Sequence, residues 1–326
     1  MKILVTGGAG FIGSCFVRHM LNKYPDYKII NIDALTYAGN IENLNDVKDN
    51  PNYTFIHGNI CDKKLVRELM SQVDCAVNFA AESHVDRSIT GPEIFIETNV
   101  QGTLNLLQSA KEANIQRYLQ VSTDEVYGTL GKTGYFYETT PIAPNSPYSA
   151  SKASADLLVR AYYETYKMPV LTTRCSNNYG PYQYPEKLIP FFISQLLKGE
   201  KVPVYGDGMN VRDWLYVYDH CAAIDTVLHK GRVGEVYNIG GHNEKTNLEI
   251  THLILEAMGK DESSIKYVQD RLGHDRRYAI SNDKIQSELG WNPSLTFEKG
   301  IKITIDWYLN NQDWIKSIEN KKAGIV

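Results

Sequence analysis

The sequence lacks any long apolar run. None of its 326 residues fall in a stretch of about 18 apolar residues, the length a helix needs to cross a bilayer. Metal-type cysteine spacing is missing too. The five cysteines, Cys15, Cys61, Cys75, Cys175 and Cys221, form no Cys-x-x-Cys pair. They read as small buried apolar residues in a reducing compartment, which points to the cytoplasm and to no bound metal. Positive charge is not in excess: 34 Lys and Arg stand against 38 Asp and Glu, a net charge of −4. No nucleic-acid or membrane partner is expected from these numbers. No internal repeat and no low-complexity linker breaks the chain. Its opening residues, MKILVTGGAG, have too short an apolar run and too much glycine for a secretory signal.

What is present is an alternation. Short apolar runs at 2–6, 28–33, 54–60, 75–80, 117–123 and 170–174 read as strands. Helical patterns over 11–23, 64–72, 93–113 and 149–167 fall between them. Such alternation predicts an α/β fold, a Rossmann-type doubly wound parallel sheet covered on both faces. After Tyr179 the pattern changes. Pro181, Pro185, Pro190 and Pro203 break it up, and a helix is expected over 188–198. Residues 1–178 are expected to form the nucleotide-binding domain and 179–326 a smaller, mixed substrate domain. The run VYNIGG (236–241) looks like one more strand of the large sheet, so the chain is expected to return to it around 213–242.

The loop TGGAGFIG (6–13) follows a strand and opens a helix, with glycines at Gly7, Gly10 and Gly13. Glycine there permits a tight turn and lets backbone approach a pyrophosphate, which the helix N-terminus attracts. Asp33 ends the second strand. A carboxylate there accepts from both ribose hydroxyls and repels a 2′-phosphate, favouring NAD over NADP. In PYSASKASADLL (147–158), Tyr148 and Lys152 share one helix face. A cation beside a phenol favours the phenolate, and a base working near neutral pH needs a fall of about 3 units, roughly 4 kcal/mol.

The stretch VSTDEVYG (121–128) is the unusual one. Two carboxylates, Asp124 and Glu125, follow directly on a β-branched strand ending in Thr123. Ionised side by side they repel, and buried they are costly unless satisfied. Strand alternation would point Asp124 away from Thr123 and Glu125. For both acids to reach one ligand, the backbone must leave regular β geometry near Thr123.

Taken with TGGAGFIGS, AAESHVDRSI, YSASKA, RCSNNYGPYQYPEKLIP, RDWLYVYDH and DRLGHDRRYAI, these motifs resemble the extended short-chain dehydrogenase/reductase family along nearly the whole chain. The contiguous Thr-Asp-Glu is similar to the set of its sugar-nucleotide 4,6-dehydratases. That resemblance implies NAD-dependent dehydration of dTDP-glucose to its 4-keto-6-deoxy form. The same reaction on UDP-glucose or a UDP-amino sugar, a sugar-nucleotide 4-epimerase, and a non-catalytic dinucleotide sensor stay open beside it. It implies that Tyr148 takes the proton of the sugar 4-OH, that Thr123 hydrogen-bonds that oxygen, that Glu125 removes the C5 proton, and that Asp124 protonates the departing 6-OH, with Lys152 supporting Tyr148. It further implies that Gly7, Gly10, Phe11, Ile12, Gly13, Asp33, Ala34, Leu35, Thr36, Asn59, Ile60, Ala80, Ala81, Ser83, Thr98, Tyr148, Lys152 and Asn178 line the NAD site. Ser83, Thr123, Asn177, Lys187, Leu188, Pro203, Val204, Tyr205, Arg212, Asn247, Asp270, Arg271 and His274 would hold the sugar nucleotide. Arg forks and amide donors suit a diphosphate, and Tyr205 offers an aromatic face to a base. The chain departs from the family pattern at Asn59, where Asp is usual, at Ala34, where Lys is frequent, and at Leu272, where Pro is frequent. Apolar residues on two faces of the helices over 93–113 and 149–167 (Ile94, Leu104, Leu107; Leu157, Leu158, Tyr162) leave one face for a homodimer built on a four-helix bundle, as the resemblance also implies.

Overall fold

The computed structural model describes residues 1–270 and 274–322; Arg271, assigned above to the sugar nucleotide, lies outside them. Seven strands form one parallel sheet: β1 (Lys2–Thr6), β2 (Lys28–Asp33), β3 (Tyr53–His57), β4 (Cys75–Asn78), β5 (Arg117–Thr123), β6 (Val170–Cys175) and β10 (Val236–Ile239). Their spatial order is β10-β6-β5-β4-β1-β2-β3. The order reverses between β1 and β4, the crevice where doubly wound sheets bind ligands. This is the Rossmann-type fold that the alternation predicts. Every residue of β4 and β6 is buried, as strands covered on both faces require.

Helices α1 (Phe11–Lys23) and α8 (Val217–Lys230) cover one face. On the other lie α2 (Lys63–Met70), α5 (Thr103–Glu112) and α6 (Pro147–Tyr166). Helix α6 starts cleanly, with Pro147 in its first turn and a reciprocal Ser146–Ser149 capping box. The helix expected over 93–113 is not continuous. After α3 (Val85–Thr90), it consists of a short α4 (Glu93–Phe95), a π-helical stretch over Ile96–Gly102, and α5. In that stretch Asn99 turns inward to hold both the N–H and the carbonyl of Glu82. A Cβ on Gly102 would meet the Ile60 side chain at 2.5 Å, so the wider turn packs close against the sheet layer.

The remaining elements form a second core. A three-stranded sheet holds β7 (Asn177–Tyr179), β9 (Val211–Tyr216) and β11 (Glu244–Thr246), and β8 (Val202–Tyr205) pairs with β12 (Ile265–Val268). Around them pack α7 (Leu188–Leu197), α9 (Asn247–Ala257), α11 (Phe297–Asn310) and α12 (Gln312–Lys322); α10 (Asp283–Leu289) lies against β10.

One buried ion pair fixes α6 to the sheet. Arg174 on β6 donates to Asp156 on α6 at 2.9 Å, with both side chains almost fully buried. Arg174 also donates to the Tyr127 hydroxyl, which donates to Asn238 on β10. Removing one partner of such a pair strands the other charge. Asp156→Ala is therefore expected to lower the unfolding free energy by about 3–5 kcal/mol in urea titration. Asp156→Asn, which keeps an acceptor, should lose less.

Candidate active site

The glycine loop between β1 and α1 sits at the sheet's switch point. Gly7 has a left-handed φ of +70°, and a Cβ there would lie 2.6 Å from the Ala80 nitrogen. A Cβ on Gly13 would lie 2.3 Å from the Gly7 carbonyl oxygen. At Gly10, the N-cap of α1, the nearest atom would be 3.3 Å away, and no side chain caps the helix. Close backbone packing plus an uncapped helix N-terminus is the chemistry that accepts a pyrophosphate. Asp33 stands beside it. Its Oδ2 accepts from Ala9 N and its Oδ1 from Leu35 N, each at 2.8 Å. Each oxygen keeps a second lone pair for a ribose hydroxyl. These residues fit a dinucleotide.

A cleft runs from this loop along the carboxyl ends of the strands. It is lined by all the residues assigned above to NAD except Leu35, which turns through a left-handed φ of 49° and packs against the core. A second cleft opens from the first, sharing Glu125, Asn177, Asn178 and Lys187 with it. Leu188, Pro203, Val204, Tyr205, Arg212, Asn247 and His274 line that second cleft, while Ser83 and Thr123 border the first. Asp270 borders neither; its carboxylate meets His274 Nδ1 at 2.6 Å.

At the end of β5 the backbone does leave regular β geometry. Residues Asp124–Tyr127 form a 3-10 turn, N-capped by Thr123, whose Oγ1 accepts from Glu125 N at 3.2 Å. Thr123, Asp124 and Glu125 thus all border one cleft. The cap is Thr123, so capping does not account for the acids.

Burial dominates the electrostatics. Asp124 is 2% exposed, and its Oδ2 has no hydrogen-bond partner among the described residues. Desolvation pushes its pKa well above the usual carboxylate value, helped by the charges of Glu125 and Asp213 and opposed by Arg212. Burial and the nearby negative charges favour the protonated form of this carboxyl. Glu125, only partly buried, stands at the junction of the clefts.

The phenolate expected of Tyr148 depends on Lys152 together with a bound NAD⁺; the protein alone acts against it. Desolvation first, then the Glu125 charge, raise its pKa well above 10 in the protein alone, although a hydrogen bond with Thr123 pulls it down. Lys152 is also buried, which lowers its pKa, while Asp156 and Cys175 act to raise it. Its Nζ donates to the Val121 carbonyl at 2.8 Å.

Several cleft residues escaped the sequence reading. Cys175 and Ser176 follow β6 into the first cleft, and Trp214 and Tyr278 line the second. The rule that ligands meet the carboxyl ends of parallel strands would have found Cys175. Trp214 and Tyr278 carry no local signal.

Comparison with known proteins agrees with this geometry. Residues 4–304 match the family described as GDP-mannose 4,6 dehydratase. The chain belongs to that family. Among relatives of this dehydratase, a dTDP-glucose 4,6-dehydratase of Xanthomonas campestris pv. campestris (strain B100) is 56% identical, over 97% of this chain and 95% of its own. DesIV, a dTDP-glucose 4,6-dehydratase from Streptomyces venezuelae solved with NAD bound, superposes with a TM-score of 0.94 at 53% identity, over 96% of this chain and 98% of its own. A dTDP-glucose 4,6-dehydratase from Bacillus anthracis in complex with NAD gives 0.92 at 57% identity, over 98% and 99%.

The raised pKa of Asp124 has a stability consequence. Between its unfolded value and the higher folded one, the native state binds the proton that the unfolded state has released. Its share of stability is full at acid pH and falls as pH rises above about 4. Asp124→Asn should therefore melt higher than the wild type at pH 8, with the gap closing toward pH 4. A gap independent of pH in calorimetry would refute a neutral Asp124.

Proposed function

We propose that the chain is an NAD-dependent hydro-lyase that converts dTDP-glucose to dTDP-4-keto-6-deoxyglucose in deoxysugar biosynthesis. The observation that carries this reading is Asp124, buried and with its pKa pushed up, beside the half-buried Glu125 on one cleft. A 4-epimerase oxidises and re-reduces one carbon and has no use for that pair. Elimination across C5 and C6 needs one acid and one base at the same time.

NAD, when bound, accepts the hydride from C4 and returns it to C6. Tyr148 takes the proton of the 4-OH, and the Thr123 hydroxyl orients the same oxygen. In the protein alone burial and the Glu125 charge raise the Tyr148 pKa, so the phenol must first give up its own proton, beside the positive charge of the bound cofactor, before it takes that of the 4-OH. The 4-ketone acidifies C5. Glu125 removes the C5 proton, and Asp124 gives its own to the departing 6-OH, which leaves as water. Glu125 then returns a proton to C5 after C6 is reduced. The nucleoside diphosphate would lie in the second cleft, with Arg212 and Asn247 toward the phosphates and Tyr205 toward the base. On this reading residues 1–178, with the return over 213–242, hold the cofactor, and the remainder of 179–326 holds the sugar nucleotide.

The test is turnover of dTDP-glucose against UDP-glucose at matched concentration, followed as a 4-keto product without net NADH. Deuterium exchange at C5 separates the two acids. Glu125→Gln should oxidise C4 yet fail to exchange C5, while Asp124→Asn should exchange C5 and stall at loss of the 6-OH. Each should lose about 10²–10⁴ in rate. Equal C5 exchange in both variants would overturn the assigned roles.

A cytoplasmic homodimer accompanies this reading. Ile94, Ile96, Leu157 and Tyr166, on α4, the π stretch and α6, are each 45–55% exposed, an apolar surface suited to a four-helix interface. Sedimentation should give a dimer at micromolar concentration, and Leu157→Glu a monomer.

A further inference from the structure

The last helix of the chain reaches back to the glycine loop. Within the loop, the peptide of Ala9 is fully buried. Its N–H donates to Asp33, and its carbonyl accepts twice, from Asn40 N at 3.0 Å and from Asn43 Nδ2 at 2.9 Å. Asn43 is 2% exposed and stands in the 3-10 turn Ile41–Leu44. Its remaining side-chain acceptor, Oδ1, receives the indole N–H of Trp314 at 2.9 Å across 271 residues of sequence. Arg18, on α1, donates to the Asn43 carbonyl. Every polar group of Asn43 named here is thus committed, and one of those commitments is to α12.

Outside this hub α12 grips the same turn again. Lys321 donates to Asn40 Oδ1 at 2.7 Å, and Ser317 to Glu42 at 2.8 Å. Trp314 itself is anchored in the second core among Tyr182, Trp307 and Tyr308. The turn it grips belongs to the first core through Leu44 and Val47. A side chain rooted in one core therefore fixes the Asn43 amide, and that amide holds the Ala9 carbonyl of the glycine loop.

We infer that α12 is part of the cofactor-holding apparatus: Trp314 acts as a positioning residue, through Asn43, on the loop that receives the pyrophosphate. The inference rests on the reading of the first cleft as the NAD site. A loop held at both faces of its Ala9 peptide is preorganised, and a preorganised site does not spend binding free energy on ordering itself. Release of the Asn43 amide frees it to turn, and Ala9 then keeps only the Asn40 donor on its carbonyl. The expected effect falls on how tightly and how long NAD is held, and leaves the chemical step to the residues at the end of β5.

Trp314→Phe keeps an aromatic ring in the cluster and removes the N–H together with part of the ring volume, a packing loss for which Trp307→Phe is the control. The experiment measures NAD dissociation by equilibrium dialysis and the fraction of NAD(H) retained through purification. Loss of one neutral hydrogen bond at the hub should raise the dissociation constant about threefold to tenfold and lower the retained fraction. Trp307→Phe disturbs the same aromatic cluster without touching the 3-10 turn. It should lower the melting temperature while NAD dissociation stays within about twofold of wild type. Saturating NAD should restore the kcat of Trp314→Phe, since only positioning is lost. Should Trp314→Phe fail to fold, the double variant Ser317→Ala/Lys321→Met, at half-buried and exposed positions, releases the outer grip and should still weaken NAD at least twofold. Unchanged dissociation in the folded variant, or equal weakening in Trp314→Phe and Trp307→Phe, overturns the inference. Wild-type protein that binds no NAD at all would instead refute the reading of the cleft.

Discussion

Burial of ionisable groups at the end of β5 is the constraint on which the rest of the structure turns. Asp124, Tyr148 and Lys152 all sit within a few residues of solvent-free sheet, and desolvation drives each toward its neutral form. For Asp124 that is the form an acid needs. For Tyr148 it is the wrong form for a base, and the Glu125 charge makes the phenolate less favourable still. The protein alone does not hold a phenolate ready. The positive charge of a bound NAD⁺ would stand beside the oxygen before the hydride moves, and it would favour the phenolate that takes the 4-OH proton.

A single irregular turn makes this possible. Had β5 continued as a strand, Asp124 would point to the opposite face from Thr123 and Glu125. The 3-10 turn capped by the Thr123 hydroxyl brings the three together without using either carboxylate as the cap. Thr123 therefore meets three partners: the backbone of Glu125, the Asp124 carboxyl to which its hydroxyl donates at 3.3 Å, and Tyr148. Neighbouring acids then act on one another: the charge of Glu125 is among the causes that keep Asp124 protonated. Their adjacency in the chain, which looks like an error of repulsion in the sequence, is a means of separating their protonation states.

The large sheet was legible because its strands are short, apolar throughout and punctuated by glycine and polar turns. The glycine loop, the Tyr148–Lys152 helix and the need for a bend at Thr123 could be read for similar local reasons. The π stretch could not. Ile96–Gly102 has a helical pattern, and only the packing of Gly102 against Ile60 and of Asn99 against Glu82 widens it. Most of the second cleft was illegible as physics. Leu188, Pro203, Arg212, Asn247 and His274 come from separate segments with no periodic relation, and they were reached through resemblance. Trp214 and Tyr278 were missed because an aromatic in a strand or loop reads first as core. Hydrogen bonds between remote segments, such as Trp314 to Asn43, leave no trace in any local pattern.

A buried acid and a buried phenol at the site cost stability, and a buried ion pair ties the same helix, α6, to the sheet. Asp156 meets Arg174 under α6 and is also among the groups that favour charge on Lys152. On the opposite face, the carboxylate of Asp225 on α8 is 1% exposed and takes His19 and Lys23 from α1 and His229 from its own helix. Those partners hold its pKa far below the usual carboxylate range despite burial. Lys23 is half exposed and the two histidines partly so, so solvent screens much of this attraction. What the cluster fixes is the pairing of α1 with α8. Helix α1 begins at the glycine loop, and α8 follows β9, the strand that carries Arg212. The ion cluster thus ties the element that receives the cofactor to the one that follows the substrate-facing strand, on the side of the sheet away from α6. Stability is concentrated where the chains of position leading to the site begin, and it is given up only where the chemistry needs a proton held against its ordinary preference.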